Sequence, residues 1–381
     1  MNKYRRLSLI LGGGLGLIII FAVLSLMLVK KLVSPERVRE ELLAYLSLKI
    51  GGTVEFRTVE VHFIPGPHVV LSGGVFSVPG KAEGSLDTII AYPKVLPLLR
   101  GEVEIARLRV LKPEIKIFVH ETPEGENKSP EEPFSFGILR DDIRAVIDNL
   151  ASHGRGLNAE IEDGTLMLEK DSSPVLNFSG MNAELTLPAD RLNVRIRSAS
   201  NLWTFFNFAM SIDVRSYQGS GTLNVKGGKP HEFMDFYLPS DKVMSDSDAD
   251  ISVKFDTSGL NVLRADISSS VPKLKLTGGD EEFDFSASGI EAALYLDDAK
   301  QSLTLKSARL LNPALDLSGE YAVDKASQEV SLSLLGKNVD VESVRKGALF
   351  IAGERKVTDA IFEVVRSGTV PQVTLDAKGP S

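Results

Sequence analysis

The sequence predicts a mainly β protein with a few short helices, held by a single N-terminal transmembrane helix. Three observations carry this. From Thr53 onward, apolar residues recur with period two in short runs broken by glycine and polar turns. Leu7 to Val29 is apolar and uncharged, long enough for a helix to cross a bilayer core of roughly 30 Å. Stretches with helical spacing are few and short.

The elements follow in chain order. Residues 1–6 form a cytoplasmic tail with Lys3, Arg5 and Arg6. Residues 7–29 form the membrane helix. A cleaved signal peptide is the competing reading, but Met27-Leu28-Val29-Lys30-Lys31 offers no small-residue cleavage site. The short basic N-terminus stays inside and the long remainder is exported. Gly12 and Gly16 have the small-x-x-x-small spacing of a membrane-helix contact, beside the plainer reading of tolerated glycines.

Residues 34–120 form a helix-plus-sheet domain. Ser34-Pro35-Glu36 starts a helix whose apolar face is Val38, Leu42, Tyr45, Leu46 and Ile50, and Gly51-Gly52 stops it. The strand at Val54–Phe63 has a faulty alternation. Val54 and Phe56 share one parity; Val59, Val61 and Phe63 share the other, with the slip at Arg57-Thr58. Val103, Ile105, Leu108 and Val110 slip in the same way across Ala106-Arg107. Two such slips predict neighbouring bulges where the sheet bends. Between them, Ile89–Arg100 carries two prolines and reads as a bent connection.

Residues 121–137 are a Pro/Glu-rich loop. Residues 138–335 open with a helix whose face is Leu139, Ile143, Val146, Ile147 and Leu150, then continue as a long series of alternating strands. Leu303/Leu305, Leu315/Leu317 and Val330/Leu332/Leu334 are examples. Residues 339–368 are helical again, in two pieces, Val341–Ala352 and Val357–Arg366. Residues 369–381 open a further strand, as expected of a chain that is a fragment of a longer one.

Composition excludes several functions. The chain has 381 residues, net charge -8, pI about 5.4 and no cysteine. Nucleic acid is not expected as a partner, because phosphate binding needs a basic face. Disulfides, thiol catalysis and thiolate metal sites are ruled out. No catalytic, metal-binding or cofactor motif stands out, so an enzyme is not expected, nor a cofactor. Asp246, Asp248 and Asp250 resemble the start of a calcium loop, but Ile251 and Thr257 occupy its Gly and Glu positions. They read as a solvated turn, as do Asp280-Glu281-Glu282. Trp203, Phe205, Phe206 and Phe208 form an aromatic cluster, read as a local core plug or as a contact for lipid or a partner.

One pattern goes further. PERVREELLAYLSLKIGG (35–52), GGTVEFRTVEVHFIPGPHVVLSGGVFSVPG (51–80) and VLPLLRGEVEIARLRVLKPEIKI (95–117) resemble the N-terminal region of the AsmA family of bacterial envelope proteins. IEDGTLMLE (161–169), LNFSGMNAELTL (176–187) and VTDAIFEVVRSGTVPQVTLDAKG (357–379) extend the resemblance. It implies an inner-membrane anchor, a periplasmic body and a long curled, mostly antiparallel sheet forming an apolar groove. It implies phospholipids as ligands and a role in lipid supply to, or homeostasis of, the outer membrane. It carries no catalytic residues. About twenty strands at ~4.8 Å each would extend ~100 Å if continuous.

Aliphatic residues at alternate positions suit an acyl chain, which needs a smooth apolar trough. Val54, Phe56, Val59, Val61, Phe63, Val103, Ile105, Leu108 and Val110 are the candidate groove residues, with Gly12 and Gly16 as candidate helix contacts. A scaffold for outer-membrane protein assembly, with closed β cores, is the alternative. On the groove reading, a charge at Val61 harms function more than the same charge at His62, a comparison that a complementation assay makes directly.

Overall fold

The computed structural model describes residues 51–62, 66–94, 97, 104–119, 136–170, 173–231, 243–278, 281–351 and 367–380. The candidate membrane helix with Gly12 and Gly16, the helix expected after Ser34, Phe63, Val103 and the second C-terminal helix lie outside them. No helix among the described residues is long and apolar enough to cross a membrane.

Among the described residues the chain is mainly β, mostly antiparallel, with two helices. In order come β1 (Thr53–His62), β2 (His68–Val78), β3 (Ala82–Pro93), β4 (Ile105–Leu111), β5 (Glu114–Val119), α1 (Phe136–His153), β6 (Asn158–Lys170), β7 (Ser173–Thr186), β8 (Arg191–Ser200), β9 (Trp203–Asp213) and β10 (Gly219–Gly228). There follow β11 (Val243–Ser258), β12 (Val262–Gly278), β13 (Glu281–Leu296), β14 (Lys300–Asn312), β15 (Leu315–Asp324), β16 (Glu329–Asp340), α2 (Val341–Ile351) and β17 (Thr369–Pro380). The chain divides into two compact units: Met1–Asn201 with Phe208–Tyr217, and Leu202–Asn207 with Gln218–Ser381.

In the first unit, β1, β2 and β3 form an antiparallel meander, and β3 pairs with both β4 and β5. β4 and β5 then lie parallel to β6. A parallel pair cannot be closed by a hairpin, and α1 sits in the crossover that joins them. Ile147 and Leu150 are the buried face of α1. At its C-terminal end, Leu150, Leu157 and Leu187 close around Gly154, where a Cβ would lie 2.7 Å from the Leu150 carbonyl oxygen.

The slip at Arg57-Thr58 has a physical form that alternation alone did not reveal. Phe56 pairs with Gly74 and Thr58 with Ser72, so the register is unchanged across the slip, while Arg57 and Gly73 drop out of the pairing together. The omission continues across the sheet, at Gly73 and Asp87 and then at Lys112-Pro113 and Asp163-Gly164. Gly73, Lys112 and Asp163 have positive φ, 60°, 45° and 54°. One residue per strand, Arg57, Gly73, Asp87, Lys112 and Asp163, therefore leaves the pleat at the same transverse row, while Pro113 and Gly164 keep the alternation. Parity flips in all of them, and apolar residues stay on one face throughout. Gly73 suits this row: a Cβ there would meet the Arg57 Cβ at 3.0 Å.

Several expectations are corrected. β1 and β4 are not neighbours, since β2 and β3 lie between them. Their slips are not paired bulges: the register shift opposite Ala106, at Tyr92/Pro93, is separate from the Arg57 row. Ile89–Pro93 is the end of strand β3, because Pro93 falls at the strand's exit and Pro97 lies beyond it. Phe136 and Gly137, placed in the loop, begin α1. Asp246, Asp248 and Asp250 lie inside β11, where Asp246 and Asp248 pair with Lys275 and Lys273, and are not in a turn. Glu281 and Glu282 start β13.

In the second unit each strand from β10 to β17 pairs antiparallel with the next. Register shifts recur at Val225/Gly228, Asp248/Asp250, Ser269/Val271, Ser288/Glu291 and Leu305/Ala308. α2 packs on β13, with the Phe350 and Phe283 rings 5.9 Å apart and Gly347 facing Phe283. Both helices fall where the 3.6-residue spacing placed them, but Val339 and Asp340, assigned to the helical segment 339–368, are the end of β16.

Phe56 is fully buried against Gly74, whereas Val61 lies toward the outer end of β1 and is 44% exposed. Phe56→Ala is therefore expected to cost about 3–5 kcal/mol, and Val61→Ala less than ~1 kcal/mol. Urea unfolding of the two variants measures the difference.

Candidate functional site: an aliphatic sheet face

The register of the second unit sorts its side chains into two faces. One row runs Leu223, Val253, Ile267, Ala292, Leu305, Gly319, Leu334 and Leu375, one residue from each strand β10–β17. The adjacent row runs Phe255, Ala265, Leu294, Leu303, Tyr321, Leu332 and Ala377. These rows are contiguous because the side-chain period of a strand is two and no register shift falls within them.

The opposite face is charged. Arg264 pairs with Asp256 at 3.4 Å, Lys306 with Asp266 at 2.6 Å, Lys300 with Glu320 at 4.0 Å and Lys378 with Glu329 at 2.8 Å. The Lys306 ammonium, hydrogen-bonded to Asp266, holds that carboxyl below the usual range, and the Glu329 carboxylate raises Lys378. In the β13–β14 turn, the Lys300 N–H and the Tyr295 hydroxyl lower Asp297. These are exposed pairs of small individual worth. Their consequence is to fix which face meets water.

The aliphatic face is only partly covered. Leu303 is 43% exposed, Tyr321 45%, Val373 47% and Leu375 53%. Leu305, Leu332 and Leu334 are half-buried; Ala265 and Ala292 are buried beneath larger neighbours. Contiguous exposed aliphatic surface of this kind marks a binding surface more often than scattered single residues do.

The first unit has the same two-faced order and a different covering. Its rows Val59-Leu71-Ile89-Val110-Ile161-Ala183-Ile196 and Val61-Val69-Ala91-Leu108-Ala159-Leu185-Val194 are as continuous. Its polar face carries Arg107–Glu160 at 2.9 Å and Arg195–Glu184 at 3.3 Å. Yet Val54, Phe56, Ile105, Leu108 and Val110, all nominated as groove-lining, are buried, with Leu108 at 0% exposure. Val59 is half-buried, and Val61 is the open one among the described nominees. The nominated set is core for the most part. The open aliphatic surface lies in the second unit, at residues whose alternation was visible but whose exposure was not.

Other candidates resolve locally. Trp203 and Phe206 pack at 5.5 Å, but Phe205 stands exposed, so the cluster is not simply a core plug. Ser247 Oγ accepts the His231 N–H at 2.8 Å and lies 2.9 Å from its Nδ1. Ser247 is buried, so this contact ties residue 231 to β11. Among the described residues, no three His, Asp or Glu side chains are grouped to hold a metal ion.

The depressed carboxyls dictate an acid response. Asp266 and Asp297 stabilise the fold above the ordinary carboxylate pKa of about 3.9, and that contribution is lost as pH falls through their lowered folded values. The thermal midpoint is expected to be flat from about pH 5 to 8 and to drop below about pH 4, less steeply in Asp297→Asn. Scanning calorimetry across pH checks this.

No protein-family model matches the chain, and no curated protein matches it.

Proposed function

We propose that this protein is a membrane-anchored lipid-handling groove protein of the AsmA type, binding phospholipid acyl chains on the aliphatic face of β10–β17. The observation that carries the reading is the contiguous, half-open aliphatic surface at Leu303, Leu305, Tyr321, Leu332, Leu334 and Leu375, backed by an ion-paired polar face. An acyl chain asks for aliphatic surface, freedom from water and no specific polar partner along its length. Two rows of Leu, Ile, Val and Ala meet those demands. The uncharged run Leu7–Val29 supplies the inner-membrane anchor, and the body lies in the periplasm. The role is lipid transfer to, or homeostasis of, the outer membrane, without catalysis.

A scaffold for outer-membrane protein assembly is the second reading, favoured by the buried apolar face of β1–β4. The two separate by experiment. The full chain, purified in mild detergent and extracted with organic solvent, is expected to release phospholipid. Leu303→Glu and Leu305→Glu should each cut the yield by about tenfold or more, since an unpaired charge on an apolar face is costly. Thr304→Glu, on the polar face, should leave it unchanged. Absence of lipid from the wild type, together with crosslinking to an assembly partner, favours the scaffold.

A further inference from the structure

The aliphatic face contains one polar side chain that no packing argument explains. Gln301 lies in the row Thr257-Leu263-Leu296-Gln301-Val323-Val330, whose other polar member, Thr257, donates its hydroxyl to the Val262 carbonyl at 3.0 Å. That row borders the open one containing Leu303 and Tyr321. The Gln301 Nε2 atom is buried and has no hydrogen-bond partner among the described residues. An unpaired amide N–H in an apolar setting is destabilising, and leucine at this position would continue the row without that defect. The residue as a whole is only half-buried, so rotation about its side-chain torsions is enough to present the amide on the open face.

Its place in the fold gives the amide a use. Gln301 is next to the β13–β14 turn, which Asp297 caps by accepting the N–H groups of Ala299 and Lys300. It therefore sits at the end of the aliphatic face nearest a polar turn. There a bound lipid would pass from hydrocarbon to ester.

Resting on the groove reading, we propose that Gln301 is a lipid-binding residue whose amide donates a hydrogen bond to an acyl-ester carbonyl oxygen. It orients the lipid with its esters toward the β13–β14 turn and its chains over Leu303 and Leu305. The ligand class is then an ester-linked lipid, recognised at its carbonyl and not at its headgroup.

The test compares two phosphatidylcholines with identical chains, one diester and one diether, which differ only in the carbonyls. Binding to the full, delipidated chain is measured for the wild type, Gln301→Leu and Leu303→Glu. The wild type is expected to prefer the diester by about fivefold, the scale of one net hydrogen bond. Gln301→Leu should abolish that preference by weakening the diester alone. It should also raise the thermal midpoint of the lipid-free protein, which a purely structural glutamine would not do. Leu303→Glu should weaken both lipids together. Equal binding of both lipids by the wild type overturns the proposal, as does a preference that survives in Gln301→Leu. If the wild type binds neither lipid, the groove reading fails and this inference falls with it.

Discussion

Backbone pairing in the first unit must survive a row at which the strands from β1 to β6 each shed a residue from the pleat. In an isolated hairpin, one such loss shifts the register and turns the following side chains to the wrong face. Here Arg57 and Gly73 are lost together, and the neighbouring strands lose theirs at Asp87, Lys112 and Asp163. The hydrogen-bond ladder resumes in step on both sides. An odd residue in one strand forces an odd residue in the next, so the row is a collective property of the sheet. Positive φ at Gly73, Lys112 and Asp163 is its backbone signature.

Everything else about the faces follows from that bookkeeping. Because parity flips together, Val54 and Phe56 above the row and Val59 and Val61 below it can serve one apolar side. The other side is free to carry Arg107, Arg109, Glu160 and Glu162, whose ion pairs are exposed and individually weak. The second unit repeats the plan with register shifts along β10–β14. Its buried residues include the alanines Ala249, Ala265, Ala287, Ala292 and Ala308, the aliphatics Leu202, Leu260, Val339 and Val341, and Phe283 and Phe350 where α2 covers the sheet. Leu303, Leu311, Val373 and Leu375 are left exposed.

Gln301 makes the same point at the scale of one atom. Natural apolar surfaces rarely bury an amide nitrogen without a partner, and places that do are candidates for function. A loss in folded-state stability at this position is offset only if a ligand completes the bond.

Much of this was legible before the fold was known. Period-two alternation identified the strands, 3.6-residue spacing placed α1 and α2, and the acidic, cysteine-free composition removed several classes of chemistry. The slip at Arg57-Thr58 was visible as a fault. Its meaning was not, because register depends on what the neighbouring strands do at the same row. The same limit applied to the site. Leu108 and Leu303 are both leucines in alternating strands, and local sequence does not distinguish them. One is buried and the other 43% exposed, since exposure is set by what packs over a face, through contacts far apart in sequence. Alternation assigned residues to a face within each unbroken run, but not across the slip at Arg57-Thr58. Which face is closed and which is open was set by the fold, because covering a sheet is a matter of long-range packing that no local period encodes.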